Sequence, residues 1–295
     1  MNICELNNYN QGRPDCDFEL GVMDYMILAP SNVNISAIDQ MRIFDYVREM
    51  SMNANPLLRY YPVSARIEQV EDTSTEATMG SLDKGLERKM IDGRFKYTLH
   101  YESFVCGDRN LQKLDGYRGG VFFINTKNLF IGARNNDGTM SPYDVTIYSD
   151  GGGFAASSGD IKTMNLLIDL GDKPKFIRQA MALKLRDTDR VSTLTGFRDL
   201  EISVKSVTAG VAKVQLVTGC DHVNVYDQYS TVFSTAANWR VNGDEPTTVT
   251  VDAPTKSFNV TVGSGTSELN VAPVDVLKLA GVVGFEGVAT VVTSI

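Results

Sequence analysis

Few side chains in this sequence have a type and spacing suited to catalysis or metal binding. The most suggestive is Asp137 in the segment Asn135-Asn-Asp-Gly-Thr, because Asp and Asn oxygens at alternate positions are calcium ligands. The remaining alternate oxygen ligands of an EF-type calcium loop are absent here. Asn, Asp and Gly accept positive φ at low cost, so this segment is interpreted as a hairpin turn.

The other candidates for chemistry are isolated. Gly151-Gly-Gly153 lacks the following Lys-Ser/Thr of a phosphate-binding loop. His100 and His222 lie far apart in the sequence, each beside β-type residues, and a lone histidine in a strand is more often packed or on the surface than catalytic. The sequence has no Ser/His/Asp set, HExxH motif, Rossmann fingerprint or P-loop. Any two of the 36 acidic residues could meet in space, but nothing favours such a pair. We therefore predict no catalytic, cofactor-binding or metal-binding residue, and a protein that is not an enzyme.

The four cysteines show no metal-binding or redox spacing. They are Cys4, Cys16, Cys106 and Cys220, with no CxxC pair among them. This pattern is typical of reduced thiols in a protein made in a cytoplasm. A bridge between Cys4 and Cys16 remains open.

Composition limits the classes of function. A chain of 295 residues with 43% hydrophobic residues has the size of two domains or one large one. The formal net charge of −8 disfavours a protein that recognises specific nucleic-acid sequences, because such proteins need a basic surface. The sequence contains no run of about 18 apolar residues, so we expect no transmembrane helix. Its start, Met1-Asn-Ile-Cys-Glu, lacks the basic and apolar parts of a signal peptide.

The central part of the chain, from Lys113 to Leu170, predicts several strands joined by strong turns. Val121 to Ile124 is apolar without a break, which predicts a strand covered on both faces. Asn125-Thr-Lys-Asn128 and Asn135-Asn-Asp-Gly138 are hairpin signals. In the last strand of this part every second residue is apolar, the pattern of a half-buried strand; these are Met164, Leu166, Ile168 and Leu170.

A helix is predicted before this central part. Ser36, with Asp39 three residues later, forms a capping-box-like start to a helix that runs to Ser51. Four apolar residues at three-residue steps predict a face that packs on a sheet; they are Ile38, Met41, Phe44 and Val47. A strand at Gly21–Ala29 precedes this helix, and one or two strands follow it between Leu57 and Glu71.

Other elements flank the central strands. Arg94 to Tyr101 alternates as a strand, with Phe95, Tyr97, Leu99 and Tyr101 on one face. A short helix from Arg109 to Tyr117 is predicted, capped by Asp108, with Leu111 and Leu114 facing inward. Pro174–Asp187 fits a helix or a strand, and the β-type sequence that follows favours a strand.

Two polar segments are too long to be simple connections. Residues Met1–Asp17 are predicted to form an arm that is ordered only when a partner holds it. Asp72–Arg94 is polar and charged and contains few large apolar residues. A connection of this length inside a compact domain is usually functional or disordered.

The composition changes near residue 195, which predicts a domain boundary between 1–195 and 196–295. All eleven methionines lie at or before Met181, and from residue 200 onward Val and Thr dominate. Short strands at spacings of roughly ten residues predict an immunoglobulin-like β-sandwich. The predicted sandwich lacks the Cys…Trp…Cys pattern, so it is not a domain of the antibody type. The segment Gly263-Ser-Gly-Thr-Ser is interpreted as a loop. The predicted strands are Glu201–Val207, Val211–Val217, Thr247–Val251, Phe258–Val262 and Val288–Thr293.

The order of elements in residues 55–187 resembles the tail tube proteins of long-tailed bacteriophages. The resemblance lies in the predicted long hairpin, the following strand, the helix end and the central strands, and it includes no diagnostic motif. The segments that carry it are Thr73-Ser-Thr-Glu-Ala-Thr, Arg94–Tyr101, Leu111-Gln-Lys-Leu, Val121-Phe-Phe-Ile, Leu129-Phe-Ile-Gly and Asp137-Gly-Thr.

This resemblance implies a mainly β fold, a β-sandwich or barrel with one or two flanking helices, which stacks as hexameric rings around a channel for DNA. Some members of that family carry an additional immunoglobulin-like domain on the outside, which suits residues 196–295. The implied partners are copies of the same chain, other virion proteins and DNA that passes through without specific binding. The implied location is the virion, after synthesis in the host bacterial cytoplasm.

Other functions remain open. The first 54 residues do not match a minimal tail tube, so a capsid auxiliary or decoration protein, or a neck ring protein, is an alternative. An alternative of another class is an immunoglobulin-like surface or carbohydrate-binding module. The missing signal peptide and the single Trp239 argue against it, because sugar platforms usually need several exposed aromatic side chains.

The resemblance to tail tube proteins also leads to a prediction about the charge of the channel. Residues 1–199 contain 23 basic and 27 acidic residues, a formal charge of −4. We expect the inward face of the ring to carry an excess of Asp and Glu, because clusters of Lys and Arg would bind the phosphates of DNA.

Overall fold

The computed structural model describes two compact units, Met1–Thr195 and Gly196–Ile295. It describes residues 21–63, 65–82, 86–91, 93–103, 110–152, 162–172, 179–189, 191–194, 196–219 and 221–294. The predicted N-terminal arm, the four cysteines and the helix cap at Asp108 lie outside these residues. The described part of the chain is mainly β, as the sequence predicted, with a few helices.

Within its described residues, the first unit contains twelve strands, two short α-helices and a helical turn at 110–112. In chain order the strands and α-helices are β1 (Met23–Ala29), α1 (Ala37–Gln40), α2 (Ile43–Ser51), β2 (Tyr61–Pro62), β3 (Gln69–Asp72), β4 (Thr78–Leu82), β5 (Leu86–Ile91), β6 (Arg94–Glu102), β7 (Arg118–Asn125), β8 (Leu129–Arg134), β9 (Met140–Ser141), β10 (Tyr143–Gly151), β11 (Thr163–Asp172) and β12 (Ala180–Lys184).

Strand β7 lies at the centre of the main sheet. One edge pairs with β1, and the other pairs first with β10 and then with β8. The longest path through the sheet is β12-β8-β7-β10-β11-β6-β3. Val121 and Phe123 face one hydrophobic core, and Phe122 and Ile124 face another, all at most 2% exposed. The predicted strand covered on both faces is confirmed.

The two cores lie on opposite faces of β7. The first lies among β1, β6, β7, β10 and β11, and its buried residues include the four alternating apolar residues of β11. In the second core, α2 packs on β1, β7, β8 and β12, where the rings of Phe122 and Phe130 are 4.9 Å apart between centroids. The first unit is therefore a β-sandwich with a flanking helix.

The predicted helix Ser36–Ser51 is interrupted. Ser36 caps α1, because its hydroxyl accepts a hydrogen bond from the Asp39 N–H at 3.2 Å. Phe44 and Val47 are buried as expected, but Ile38 is 70% exposed and Met41 is 65% exposed. The expectation of one continuous apolar face was wrong. The chain leaves helical geometry at Arg42, with φ −126°, so the residue spacing of α1 does not continue into α2.

Several other boundaries differ from the predictions. The strands predicted at Gly21–Ala29, Arg94–Tyr101 and within Pro174–Asp187 are present as β1, β6 and β12. The helix predicted from Arg109 is shorter: among the described residues only 110–112 are helical, although Leu111 is buried. The chain turns away at Gly116, where φ is +73° and the N–H donates to the Ile147 carbonyl of β10.

The long polar segment Asp72–Arg94 contains a hairpin of its own, as predicted. Strands β4 and β5 pair antiparallel and form a separate two-stranded sheet. The base of this hairpin is held at Thr75, whose N–H donates to the Arg94 carbonyl and whose hydroxyl accepts from the Arg94 N–H. A Cβ at Gly93 would lie 2.4 Å from the Thr75 carbonyl oxygen, so this close approach requires glycine.

The second unit contains two sheets. Its elements are β13 (Arg198–Thr208), β14 (Val211–Thr218), α3 (Tyr226–Phe233), β15 (Trp239–Val241), β16 (Val249–Asp252), β17 (Ser257–Thr261), β18 (Gly265–Val271), α4 (Val274–Leu279), β19 (Phe285–Gly287) and β20 (Thr290–Ser294). The sheets have strand orders β16-β17-β14-β13-β19 and β15-β18-β20. With β13 as strand A and β20 as strand G, these are the ABED and CFG sheets of an immunoglobulin constant-type sandwich, to which β19 adds a short parallel strand.

The core of the second unit is aromatic. Trp239 on β15 is fully buried, and its indole N–H donates to the Phe233 carbonyl at 2.8 Å. Its ring centroid lies 5.8 Å from that of Phe233 and 5.7 Å from that of Phe258. The single tryptophan is therefore a core residue of this unit.

The sequence predictions for the second unit were incomplete. The five predicted strands correspond to β13, β14, β16, β17 and β20, but α3, β15, α4 and β19 were not predicted. The interpretation of Gly263–Ser267 as a loop was wrong from Gly265 onward, because β18 begins there. The first part of β18 has no large apolar residue, so it carries no strand signal of its own, and its pairing with β20 defines it.

Candidate functional site

The most distinctive surface of the first unit is an open sheet face, defined as the outward side of β3, β6, β11 and β10. Residues directly opposite on paired strands share a face, so the register shows which side chains lie together. One row runs from Lys96 through Asp169 and Thr146 to Arg118 of β7. A second runs from Gln69 through His100 and Asn165 to Asp150. Between these rows, Leu167 and Tyr148 lie opposite each other on the same face, with Tyr148 47% exposed. The other apolar residues of these strands point into the core.

The charges of the open sheet face are mixed, with an excess of carboxylates. Among the side chains that the structure describes, five carboxylates face outward here, against three cations, a formal charge of −2 with histidine neutral. The carboxylates are Glu71, Glu102, Asp144, Asp150 and Asp169, and the cations are Arg94, Lys96 and Arg118. This part of the chain therefore presents an acidic polar surface.

Two of the three cations share one carboxylate. The Arg94 guanidinium donates to Asp169 Oδ1 at 3.0 Å and to Oδ2 at 3.2 Å, and the Lys96 ammonium lies 3.7 Å from Oδ2. Asp169 also accepts a hydrogen bond from the Gly171 N–H at 2.9 Å. Partial burial raises the pKa of Asp169, but these hydrogen bonds and the two positive charges outweigh it and lower the pKa below its ordinary value.

His100 lies in the middle of the same face. One ring nitrogen, Nδ1, is 2.8 Å from the Asn165 side-chain oxygen, and Nε2 is 3.7 Å from the Glu71 carboxylate. The arrangement holds the ring between neighbouring strands. These two contacts support a packing role for His100.

A polar cleft of about 1080 Å³ adjoins one end of the open sheet face. Arg94, Arg118, Asp144 and Asp169 belong to both the cleft and the face. Asn32, Asn34, Asn135 and Ser141 line it from the loop before α1 and from the β8–β9 turn. Asn135 donates to both Asn34 and Thr139, so its amide is engaged in the turn. The cleft is an extension of the polar surface.

The residues that were candidates for catalysis or ligand binding in the sequence do not come together in the described part of the chain. Asp137 accepts hydrogen bonds from the hydroxyl and the N–H of Thr139, which lower its pKa, and Gly138 has φ +81°. The hairpin-turn interpretation is confirmed. His100 and His222 lie in different units. Gly151 and Gly152 both have positive φ at the end of β10.

In the described part of the chain, no group of three His, Cys, Asp or Glu side chains is placed to hold a metal ion. Among the same residues, no helix has the length and hydropathy to cross a membrane.

The open sheet face was missed at the sequence level. Its signal was present in β6, where polar residues alternate with the apolar ones that were used to predict the strand. The sequence alone did not show which polar positions of different strands meet.

No protein-family model matches the chain, and no curated protein matches it.

Proposed function

We propose that this protein is a virion structural component that assembles into rings through its first unit, and that it forms the tail tube of a long-tailed phage. The observation that carries the proposal is the β4–β5 hairpin, which pairs with no other described strand. A two-stranded hairpin alone is marginally stable in water. It gains stability by adding to a sheet of a neighbouring copy, where its ordering entropy is offset by new contacts.

The architecture of the first unit supports the same proposal. A β-sandwich with a helix on one side provides a rigid wall for a ring, with one sheet face left open. The open sheet face then lines the channel, and its formal charge of −2 is repeated in every subunit. Such a lining repels the DNA duplex at short range, with a screening length of about 8 Å at physiological salt. DNA passes along it without specific binding.

The proposal gives the second unit an outer, accessory position. A chain ending at Thr195 is expected to fold and to assemble as the full chain does, because the first unit has its own cores. Circular dichroism and electron microscopy of several truncations with shifted ends check this. Loss of all soluble protein in every truncation would contradict the independence of the first unit.

The alternatives receive less support. An immunoglobulin-like binder of sugars needs exposed aromatic rings, but Trp239, Phe233 and Phe258 are buried in the second unit. The exposed large apolar residues in the described part of that unit are valines and one leucine. A neck ring or capsid auxiliary protein shares the requirement for assembly and differs in the form of the assembly.

Negative-stain electron microscopy of the purified full-length protein tests the proposal. Tubes, or stacked rings with a central channel, are the expected result, with sixfold symmetry. Single rings that never stack would favour the neck ring alternative, and binding only to purified capsids would favour a decoration protein. Dispersed monomers at every concentration and salt tested would overturn the proposal.

A further inference from the structure

The three cations of the open sheet face do not have the same surroundings. Arg94 and Lys96 both contact Asp169, which is only 16% exposed, whereas among the described residues Arg118 has no ion-pair partner. A cation that is already paired with a carboxylate gains less from a DNA phosphate, because binding the phosphate breaks the existing pair. The three positions therefore differ in their capacity to hold DNA.

We propose that Asp169 is the residue that prevents the open sheet face from binding the DNA backbone, because it contacts Arg94 and Lys96 together and lowers their combined formal charge from +2 to +1. This inference rests on the proposed function for its biological meaning, since that function makes duplex DNA the molecule that passes along this face. The partner is recognised by its chemistry alone: a double-stranded phosphodiester polyanion, without regard to base sequence.

The position of Asp169 in the sheet keeps it in contact with both cations. It lies directly opposite Lys96 on β6, and Arg94 reaches it from two residues away on the same strand. The Gly171 N–H fixes one of its oxygens from the β-bulge that follows. The carboxylate is held by backbone and side-chain contacts together, so it stays between the two cations.

The other carboxylates of the face are arranged differently. Asp150 lies at the far end of β10, is exposed, and accepts a hydrogen bond from the N–H of the adjacent Gly151. Among the described residues no cation contacts it. Removing its charge changes the net charge of the face by the same amount as removing that of Asp169, but it releases no cation. Asp150 is therefore a matched control.

The test compares Asp169→Asn with Asp150→Asn in the full-length protein. Binding to a fluorescent 30-base-pair duplex is followed by anisotropy at several salt concentrations. Asp169→Asn is expected to bind on the order of 10- to 100-fold more tightly than wild type at 50 mM salt, and its log–log salt slope should be steeper by up to about 1.8, from two new phosphate contacts. Asp150→Asn should differ from wild type by less than about threefold. Equal effects of the two variants would overturn the inference.

A second comparison does not require Asp169→Asn to fold. In the wild-type background at 20 mM salt and above, Arg94→Gln/Lys96→Gln is expected to leave the log–log salt slope of DNA binding within about 0.3 of wild type, because cations held by Asp169 make no phosphate contact. Arg118→Gln should make that slope shallower by about 0.9, since it removes one phosphate contact. A change of slope in the double variant as large as that in Arg118→Gln would reject the inference. These titrations are independent of assembly: absence of rings in wild type refutes the proposed function and leaves the DNA result to decide the role of Asp169.

Discussion

Replacing residues 76–93 with the dipeptide Asn-Gly is expected to give a folded protein that no longer assembles. The replacement removes β4 and β5 and leaves the paired backbone of Thr75 and Arg94 at the base, where the chain ends are already close. Asn-Gly forms a tight hairpin turn that suits this geometry. The cores of the first unit lose no residue that belongs to them. Electron microscopy should show dispersed particles, and circular dichroism should show an unchanged melting temperature within a few degrees.

The matched control alters a turn that the proposal gives no role in assembly. The β8–β9 connection around Asn136 and Asp137 is a hairpin turn held by Thr139, and Asp137→Asn changes it locally. This variant should assemble as wild type does. Native-length tubes from the hairpin-replacement variant would show that β4–β5 is not the assembly element.

Phe258→Ala is expected to unfold the second unit at a much lower temperature and to leave the first unit unchanged. Phe258 is fully buried, and its ring contacts those of Tyr226, Phe233 and Trp239. Truncating a buried Phe to Ala costs about 3–5 kcal/mol, since it leaves a cavity in a packed core. For a domain of this size the melting temperature falls by roughly 4–8 °C per kcal/mol, so the shift should be at least about 12 °C.

The single tryptophan makes this measurement selective. Trp239 lies beside Phe258 in the core of the second unit, so its fluorescence reports the unfolding of that unit alone. Val291→Ala is the control, because Val291 is 69% exposed and its truncation should change the free energy of unfolding by less than about 0.5 kcal/mol. Calorimetry follows the first unit in the same samples. A shift of similar size in both units would contradict their thermal independence.

The two predictions address the two units separately. The first asks whether the hairpin of unit 1 carries assembly, and the second asks whether unit 2 is a self-contained sandwich. If both results are as expected, the protein consists of an assembling wall domain and an accessory immunoglobulin-like domain. The Asp169 titrations then describe the surface that the wall presents to DNA.

The sequence by itself determined the elements whose residue pattern is local. Continuous apolar residues at Val121–Ile124 predicted a strand between two cores, and the alternation in β6 and β11 predicted their buried faces. The Asn-rich turns at Asn128 and Gly138 were predictable because positive φ is a property of the residue type. The change in composition near residue 195 lies where the two units divide.

Only the tertiary structure decided which polar residues form a surface. Asp169 and Arg94 are 75 positions apart in the sequence, and the pairing of β11 with β6 brings them into contact. A period of two shows which residues of one strand share a face, but the register between strands sets their neighbours. The interruption between α1 and α2 was also not predicted. The Gln40 side chain at the end of α1 donates to the Ile35 carbonyl and to the Gly138 carbonyl. Gly138 belongs to the β8–β9 turn and is 98 positions away from Gln40. Contacts of this range depend on the whole fold, so the exposure of Ile38 and the position of Asp169 could not be derived from local sequence.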